Sequence, residues 1–521
     1  MTIVRTAQGT LRGTSEGASC VFRGVPYAAP PVGALRFQPA QPPPPWAGER
    51  DATVHGGIAP QNPSDLRHFM GDFDNPQSED CLTLTVWTPA ADAARRPVLL
   101  WLHGGAFVSG AGSLDWYSGA RLAAEGDVVV VHANYRLGAL GWLCWSGVAP
   151  GNMALSDQAM ALRWVQANIA AFGGNPDTIT LGGQSAGANC TGRMMLDPDV
   201  RPSVRRVLLQ SGGFGREPSI AADMEPTARV FIQALGIDPD APDVGAKLRS
   251  APVAGLLRAQ EEADQFGFTL PVRQQAWRPL LGEHATAAQL RDATAVALGG
   301  KDVLIGVTRH EGHAFIGGPI PFALAETAAA AQFEHVAGAG NGFAAYQARM
   351  PGASPAQLVA ELRSNQHFIQ PALDLAAAAS RQGANVHAYS FDWAPAGSPF
   401  GAGHCLDLAF AFGTWPDWAE APMLKGAEAT DMAALSTSLL GAIAAFVRTG
   451  RPDTGPGMAW PNYMPGEILL SIAEPLACVT RSAALGGQGS PLKRGSVKSV
   501  MFVTTDDEGG MANWLTAPSS T

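Results

Sequence analysis

The sequence predicts an α/β fold in which one large, mostly parallel central sheet carries helices on both faces. Two observations lead there. Pro97 to Leu102 (Pro-Val-Leu-Leu-Trp-Leu) is an unbroken apolar run, which suits a strand buried on both sides. Runs of this kind then alternate with helical stretches: Val98 to Leu102, Val128 to His132, a helix over Ala159 to Ala171, Ile179 to Leu181, and Val207 to Leu209. Further strands are predicted at Val303 to Val307 and Val386 to Phe391. Such alternation is how a parallel sheet connects its strands. Ala-rich segments from Glu217 to Leu298 and from Pro321 to Arg381 read as helical insertions between sheet strands, placed to cap a site. The Pro-rich stretch Pro42 to Pro45 before Trp46 reads as a packed edge rather than a linker.

At 521 residues, length alone would permit about three domains. The mixed strand and helix pattern spreads the candidate site residues from the second quarter of the chain to the last, so one interrupted domain over 1–480 is expected, followed by a Gly-, Ser- and Thr-rich segment of little periodicity, 481–521, read as a flexible tail. Within that tail, Val497 to Val503 is a strand-like run. A net charge of −10 excludes nucleic acid as an expected partner and offers no basic stripe for an acidic membrane surface. No apolar run approaches the roughly 18 residues that span a bilayer. The six cysteines are scattered singly, and no secretory apolar stretch follows Met1 to Arg5, so a cytoplasmic setting is expected.

The chemistry begins at Thr178 to Leu181, a β-branched run that leads straight into Gly183-Gln184-Ser185-Ala186-Gly187 and then a helical stretch, Ala188 to Met195. A strand-to-helix turn this sharp forces its central residue into a strained backbone and leaves room only for small neighbours two positions away. Ser185 would then stand above the sheet edge, beside the free N–H groups of a helix N-terminus. An oxyanion needs donors, and Ala186 supplies one. The others are expected from His103-Gly104-Gly105-Ala106-Phe107, which follows the Pro97 to Leu102 strand and whose small residues let Gly105 and Ala106 N–H groups approach a carbonyl.

These segments belong to a longer ordered series: Phe22-Arg23-Gly24-Val25-Pro26-Tyr27-Ala28, Pro31-Val32-Gly33, Leu35-Arg36-Phe37, Ser78-Glu79-Asp80-Cys81-Leu82, Asn134-Tyr135-Arg136-Leu137-Gly138, Asp157-Gln158, Phe172-Gly173-Gly174-Asn175-Pro176 and Trp460-Pro461. In that series the chain resembles the type B carboxylesterases, the α/β-hydrolase branch that also holds cholinesterases and bacterial p-nitrobenzyl-type esterases. The resemblance implies the α/β-hydrolase fold with a small N-terminal antiparallel sheet, a serine hydrolase that cleaves carboxylic esters through an acyl-enzyme, and no cofactor or metal. A small-molecule ester is the implied partner, with the chain a monomer or weak homo-oligomer.

The family order of Ser, then Glu or Asp, then His implies the remaining site residues. Thr308-Arg309-His310-Glu311-Gly312 is similar to the acid turn, making Glu311 the group that orients an imidazole, and Gly401-Ala402-Gly403-His404-Cys405-Leu406-Asp407-Leu408 resembles the histidine loop, making His404 the general base. Asp407 is the rival acid, ranked behind Glu311 because it matches a different family position. A metal reading of His310-Glu311-Gly312-His313 fails, since a zincin needs histidines four apart on one helical face. Gly104, Gln184 and Ser211 are supporting residues, Ser211 being implied to hold Glu311. Arg36 with Glu79, and Arg136 with Asp157, are implied ion pairs. Phe266, Phe268, Phe315 and Phe322 are candidate pocket walls.

Departures limit what the resemblance implies. Gln184 stands where most relatives have Glu, which removes a negative charge beside the histidine. Ala59 to Asp80 lacks the tryptophan of the choline site, and Ala59 stands where a partner cysteine for Cys81 would be, so that disulfide is not expected. Leu270 to Gln275 also departs from the family run. Hydrolysis of a carbamate or amide by the same triad stays open as an alternative, as does, more distantly, a non-catalytic adhesion-like role.

Overall fold

Alternate residues of the central strands enter two different cores, and this builds the layers. Val98, Leu100 and Leu102 pack into one apolar cluster while Leu99 and Trp101 pack into another, all of them fully buried. Val129 and Val131 against Val130 follow the same division, as do Val207 and Leu209 against Leu208, and Val303 and Ile305 against Leu304. Side chains point to opposite faces with a period of two, so a run apolar at every position requires cover on both sides.

The computed structural model describes residues 1–269, 277–281, 286–337, 342–418, 420–455, 460–464, 466–473 and 476–481. The tail beyond 481, with its strand-like Val497 to Val503, lies outside the described residues, as do the segment 270–275 and the side chain of Phe268. The strands of the main sheet are β1 (Thr2–Arg5), β2 (Thr10–Glu16), β3 (Ser19–Pro26), β4 (Glu49–Asp51), β5 (Thr83–Thr88), β6 (Arg96–Leu102), β7 (Val129–Ala133), β8 (Gly174–Gln184), β9 (Arg206–Gln210), β10 (Asp302–Thr308), β11 (Asn385–Phe391), β12 (Ile468–Ile472) and β13 (Ala477–Thr480). Their order is β1-β2-β3-β5-β7-β6-β8-β9-β10-β11-β12-β13, with β4 beside β2. From β7 to β12 every neighbouring pair is parallel. At one edge β1, β2, β3, β5 and β7 join antiparallel in turn while β4 lies parallel to β2, and β13 closes the other edge antiparallel.

Helices Met153–Asn168, Ala186–Met194 and Gln370–Arg381 cover one face, and Ala120–Gly126 with Ala429–Thr449 the other. The helix expected from Ala159 starts earlier, at Met153, because Asp157 in its first turns is pinned by Arg136. Strand β8 also exceeds its apolar kernel, since Gly174 pairs with Arg96 ahead of an irregularity that resumes at Ile179. The insertions fold as expected, with helices Ala221–Ala234, Val244–Ser250, Val253–Thr269 and Ala287–Leu298 after β9, and Glu326–Ala337, Gly342–Arg349, Pro355–Arg363 and Gln370–Arg381 after β10. Helix Ala429–Thr449 is, against the reading of the apolar runs, long and apolar enough by composition to cross a membrane. Its Leu435, Leu439, Ile443 and Phe446 are instead spent on the core.

Both implied ion pairs form. Arg36 grips Glu79 with Nε at 2.7 Å and Nη2 at 2.5 Å, and its Nη1 donates to the carbonyls of Arg249 and Ala251 at 2.9 and 2.6 Å. A cation is thereby set at the C-terminal end of helix Val244–Ser250, where the peptide dipoles favour it. Arg136 meets Asp157 at 2.6 Å (Nη2–Oδ1) and 2.9 Å (Nε–Oδ2), with Asp157 fully buried. Asp157→Asn leaves that guanidinium buried without its charge partner, and a loss of about 3–5 kcal/mol is expected in urea unfolding. A loss below about 1 kcal/mol would show that the pair contributes little beyond packing.

Candidate active site

The turn between β8 and helix Ala186–Met194 holds Ser185 at φ 55° and ψ −119°, a left-handed conformation that costs a serine about 1–3 kcal/mol. Glycine is required on both sides because a side chain there would collide with the neighbouring backbone. A Cβ at Gly187 would lie 2.0 Å from the carbonyl oxygen of Leu102, and one at Gly183 would lie 2.5 Å from the carbonyl carbon of Gly187. The turn is held by the Ser185 N–H, which donates to the Gln210 carbonyl at the end of β9 at 2.8 Å. As the first residue of its helix, Ala186 has no carbonyl one turn back to receive its N–H.

Facing it, β6 ends in the loop His103 to Gly110. Gly104 approaches the turn so closely that a Cβ there would meet Gln184 Oε1 at 2.3 Å and Ser185 Cβ at 3.1 Å. Gly105 lies at φ 117°, Ala106 at 54° and Phe107 at 66°, a succession of left-handed residues of the kind that can present successive backbone amides to one concave face. The loop is fastened at several points. Gln61 accepts from Gly110 N–H at 2.6 Å and donates to its carbonyl at 3.1 Å, and the Phe107 carbonyl accepts from Trp142 Nε1 at 3.0 Å. Gly105, Ala106 and Ala186 line the same cavity as Ser185, within a set framework.

His404 and Glu311 arrive from the loops after β11 and β10. His404 Nε2 stands 2.8 Å from Ser185 Oγ, and its Nδ1 stands 2.5 Å from Glu311 Oε2. The other Glu311 oxygen accepts from Thr308 N–H at 2.9 Å, and Gly312 N–H donates to Ser364 Oγ at 2.8 Å, which fixes the acid turn. All three of Glu311, His404 and Gln184 are buried. Burial works against a charged imidazole at His404, but the Cys405 sulfur and the Glu311 carboxylate outweigh it, so the ring binds a proton more readily than usual.

Asp407 does not compete for this role. Its Oδ2 accepts from Gln210 Nε2 at 2.9 Å and from the Tyr389 hydroxyl at 2.8 Å, and burial pushes its carboxyl up to about 6. Ser211 requires a correction. Its hydroxyl is buried and has no hydrogen-bond partner among the described residues, while its N–H is tied to the Gly306 carbonyl of β10 at 2.8 Å, so it does not hold Glu311. The residue sits at φ 50° at the end of β9, a turn that leaves the support of Glu311 to the Thr308 N–H and Ser364. His310 and His313 form no group with metal-binding composition among the described residues; His310 Nδ1 accepts from Ala402 N–H at 3.2 Å.

Gln184 Nε2 lies 3.2 Å from both His404 Nε2 and Cys405 Sγ. A carboxylate at this point would add negative charge next to the imidazole. Gln184→Glu is therefore expected to raise the acid-limb pKa of the pH–rate profile by about 1, because the ring must be neutral to take a proton and its charged form is now favoured. An unmoved limb would show that position 184 does not act on the ring electrostatically.

A cavity of about 800 Å³ opens over Ser185 and His404. Of the four candidate wall phenylalanines, Phe315 lines it, with its ring centroid 5.8 Å from that of His404, whereas Phe322 is 61% exposed and packs against Phe400. Phe266 does not line it. The sequence reading missed Phe368, 4.8 Å from the His404 ring, and Trp116, which stacks on Trp418 at 4.4 Å. Phe368 sits on a wide π-helical turn, Ser364–Ile369, and no spacing in the sequence announces it.

This site can bind a carbonyl oxygen, attack its carbon and pass a proton to a departing group, and relatives with a shared architecture bear that chemistry. The chain matches the model of the carboxylesterase family over residues 1–479. It is similar to the phenmedipham hydrolase of Pseudarthrobacter oxydans, 35% identical over 477 residues that cover 88% of this chain and 92% of that one. It is also similar to the para-nitrobenzyl esterase of Bacillus subtilis, 36% identical over 471 residues with 88% and 92% covered. Among solved structures, the carboxylesterase EST55 of Geobacillus stearothermophilus superimposes with a TM-score of 0.80 at 32% identity, covering 93% of this chain and 98% of that one. The chain belongs to the carboxylesterase family, enzymes of the α/β-hydrolase fold that hydrolyse carboxylic esters.

Proposed function

We propose that Ser185, His404 and Glu311 form the catalytic triad of this ester hydrolase, with the N–H groups of Gly105, Ala106 and Ala186 as its oxyanion hole. The supporting observation is the continuous hydrogen-bonded line from Ser185 Oγ through both nitrogens of His404 to Glu311. Ser185 Oγ attacks the ester carbonyl carbon while His404 Nε2 takes its proton, and the electron pair moves onto the carbonyl oxygen within the three amides. Collapse breaks the bond to the alcohol, which leaves with the proton from His404, and the acyl group stays on Ser185. Water, deprotonated by His404, then attacks the acyl carbon and releases the acid and the serine.

Glu311 holds Nδ1 protonated, leaving Nε2 as the acceptor, and steadies the imidazolium once formed. The walls Phe315, Phe368, Trp116, Tyr117 and Leu114 give the cavity an apolar cast suited to small esters. A series of p-nitrophenyl esters of increasing acyl length tests the reading. Turnover with a KM that falls as the acyl chain lengthens and then rises is expected of a cavity of finite depth. Absence of turnover on every member would contradict it.

A further inference from the structure

One buried amide on the cavity wall takes no part in the steps above. Gln260, on helix Val253–Thr269, is 4% exposed and lines the cavity. Its Oε1 accepts from the Ala139 N–H at 2.9 Å, which decides the orientation of the side chain, since an oxygen and not an NH₂ group must face that donor. Nε2 donates to no described residue and is not enclosed by protein, so it opens on the cavity. The seat of this amide is fixed from the side of Ala106 as well. A Cβ at Gly138 would lie 1.9 Å from Gln260 Oε1, and Gly138 N–H donates at 2.9 Å to the carbonyl of Phe107, the neighbour of Ala106.

Such a donor costs free energy whenever hydrocarbon is packed against it, because the amide loses its water and gains no partner. An acceptor atom on the bound ester removes that cost. The charge around Gln260 decides which acceptor. Glu261 follows it, Asp264 stands one turn further along the same helix, and both line the cavity together with Asp65. Burial, and then the charge of Asp65, hold the Asp264 carboxyl up to about 7, so negative charge is already crowded here and a further carboxylate is repelled. An ammonium group suits those carboxyls but would meet the N–H of Nε2, a donor facing a donor. A neutral carbonyl oxygen, with two lone pairs to offer, satisfies Gln260 and adds no charge.

Resting on the ester-hydrolase reading, we propose that Gln260 is a specificity-determining residue whose Nε2 donates to a second, uncharged carbonyl of the substrate, so that the enzyme favours esters carrying a ketone or amide carbonyl besides the scissile one. The donor is in place before the substrate arrives, because the Ala139 N–H already holds the other end of the amide.

The test sets ethyl levulinate and its longer homologues against ethyl pentanoate, hexanoate and heptanoate, and the acetates of keto alcohols against pentyl and hexyl acetates, so that the second carbonyl is offered on either side of the scissile bond. Acid release by the full-length enzyme is titrated at about pH 9, where a glutamate introduced at this position is ionised. Gln260→Glu keeps an oxygen for the Ala139 N–H and puts a second acceptor where the donor stood. In at least one pair, the kcat/KM ratio of keto ester to alkyl ester is expected to fall by about 5-fold or more in this variant, through KM. A smaller change in every pair, or an equal loss on both members, overturns the proposal and leaves Gln260 as a support for helix Gly138–Trp142. Should Gln260→Glu not fold, Gln260→Met removes the donor with little change in shape and is held to the same criterion. If the wild type hydrolyses none of these esters and no p-nitrophenyl ester, the triad reading itself fails; if it hydrolyses them with a ratio indifferent to the side chain at this position, only the role of Gln260 fails.

Discussion

Ser185→Ala lowers kcat by about 10⁴-fold or more on any ester the enzyme turns over, with little change in thermal stability. The size follows from the way the three side chains act as a unit. Without the hydroxyl 2.8 Å from Nε2, His404 has nothing to deprotonate but water, and the acyl-enzyme cannot form. What remains is the amide cluster of Gly105, Ala106 and Ala186, which polarises a bound carbonyl toward direct attack by water. Stability is spared because the hydroxyl bears none of the turn's support. That support comes from the Ser185 N–H on the Gln210 carbonyl and from the bare Cα atoms of Gly183 and Gly187, all of which alanine retains. A fall of less than about 100-fold, with thermal melting unchanged, would mean that another group is the nucleophile.

Glu311→Gln is expected to cost nearly as much, about 10⁴-fold in kcat, even though the replacement has the same shape. The reason lies at the far end of the carboxylate. Thr308 N–H donates to Oε1 at 2.9 Å, and a glutamine at this position keeps that bond only by placing its carbonyl oxygen there. Its NH₂ group then faces His404 Nδ1, which must become an acceptor, and the imidazole proton moves to Nε2. A ring protonated at Nε2 cannot take the Ser185 proton. The alternative rotamer restores the acceptor at Nδ1 but sets NH₂ against the Thr308 N–H in a buried site, a donor facing a donor. In addition, the loss of the negative charge lowers the imidazole pKa, so the acid limb of the residual activity shifts down. KM should change little, because Glu311 does not line the cavity. Partial recovery in Glu311→Asp with no recovery from Asp407 is expected, as the Asp407 carboxylate is taken by Gln210 and Tyr389. An unchanged kcat in Glu311→Gln would show that the acid only packs against the ring.

What could be read in the sequence was what backbone sterics demand. The turn around Ser185 needs Gly183 and Gly187 at fixed offsets whatever the rest of the chain does, and Gly104 and Gly105 are needed because the facing loop comes within contact of Gln184 and Ser109. Buried strands were legible for a similar reason, since a run such as Val98 to Leu102 has no solvent face. Glu311 and His404 carry no such local signature. They lie on loops, and only their place in the family series singled them out. Nothing in that series revealed how Ser211 would sit: at a left-handed residue past a strand end its hydroxyl meets no hydrogen-bond partner among the described residues, and Glu311 is held by a backbone N–H instead. Wall residues were the least legible. Phe322 reads as apolar but sits on the surface, whereas Phe368, Trp116, Asn189 and Arg216 reach the cavity from separate elements whose meeting depends on the whole insertion. Phe368 does so from a π-helical turn, a widening that leaves no periodicity to detect.

The arrangement as a whole depends on one serine hydroxyl being poised for attack, and this can be measured at the residue itself. The enzyme is treated with a fluorophosphonate that forms a stable bond to activated serines, and the labelled peptide is located by mass spectrometry. One label per chain on Ser185 is expected, fast in the wild type, strongly slowed in His404→Ala, and absent in Ser185→Ala. Labelling at another residue, or at Ser185 with a rate indifferent to His404, would contradict the account.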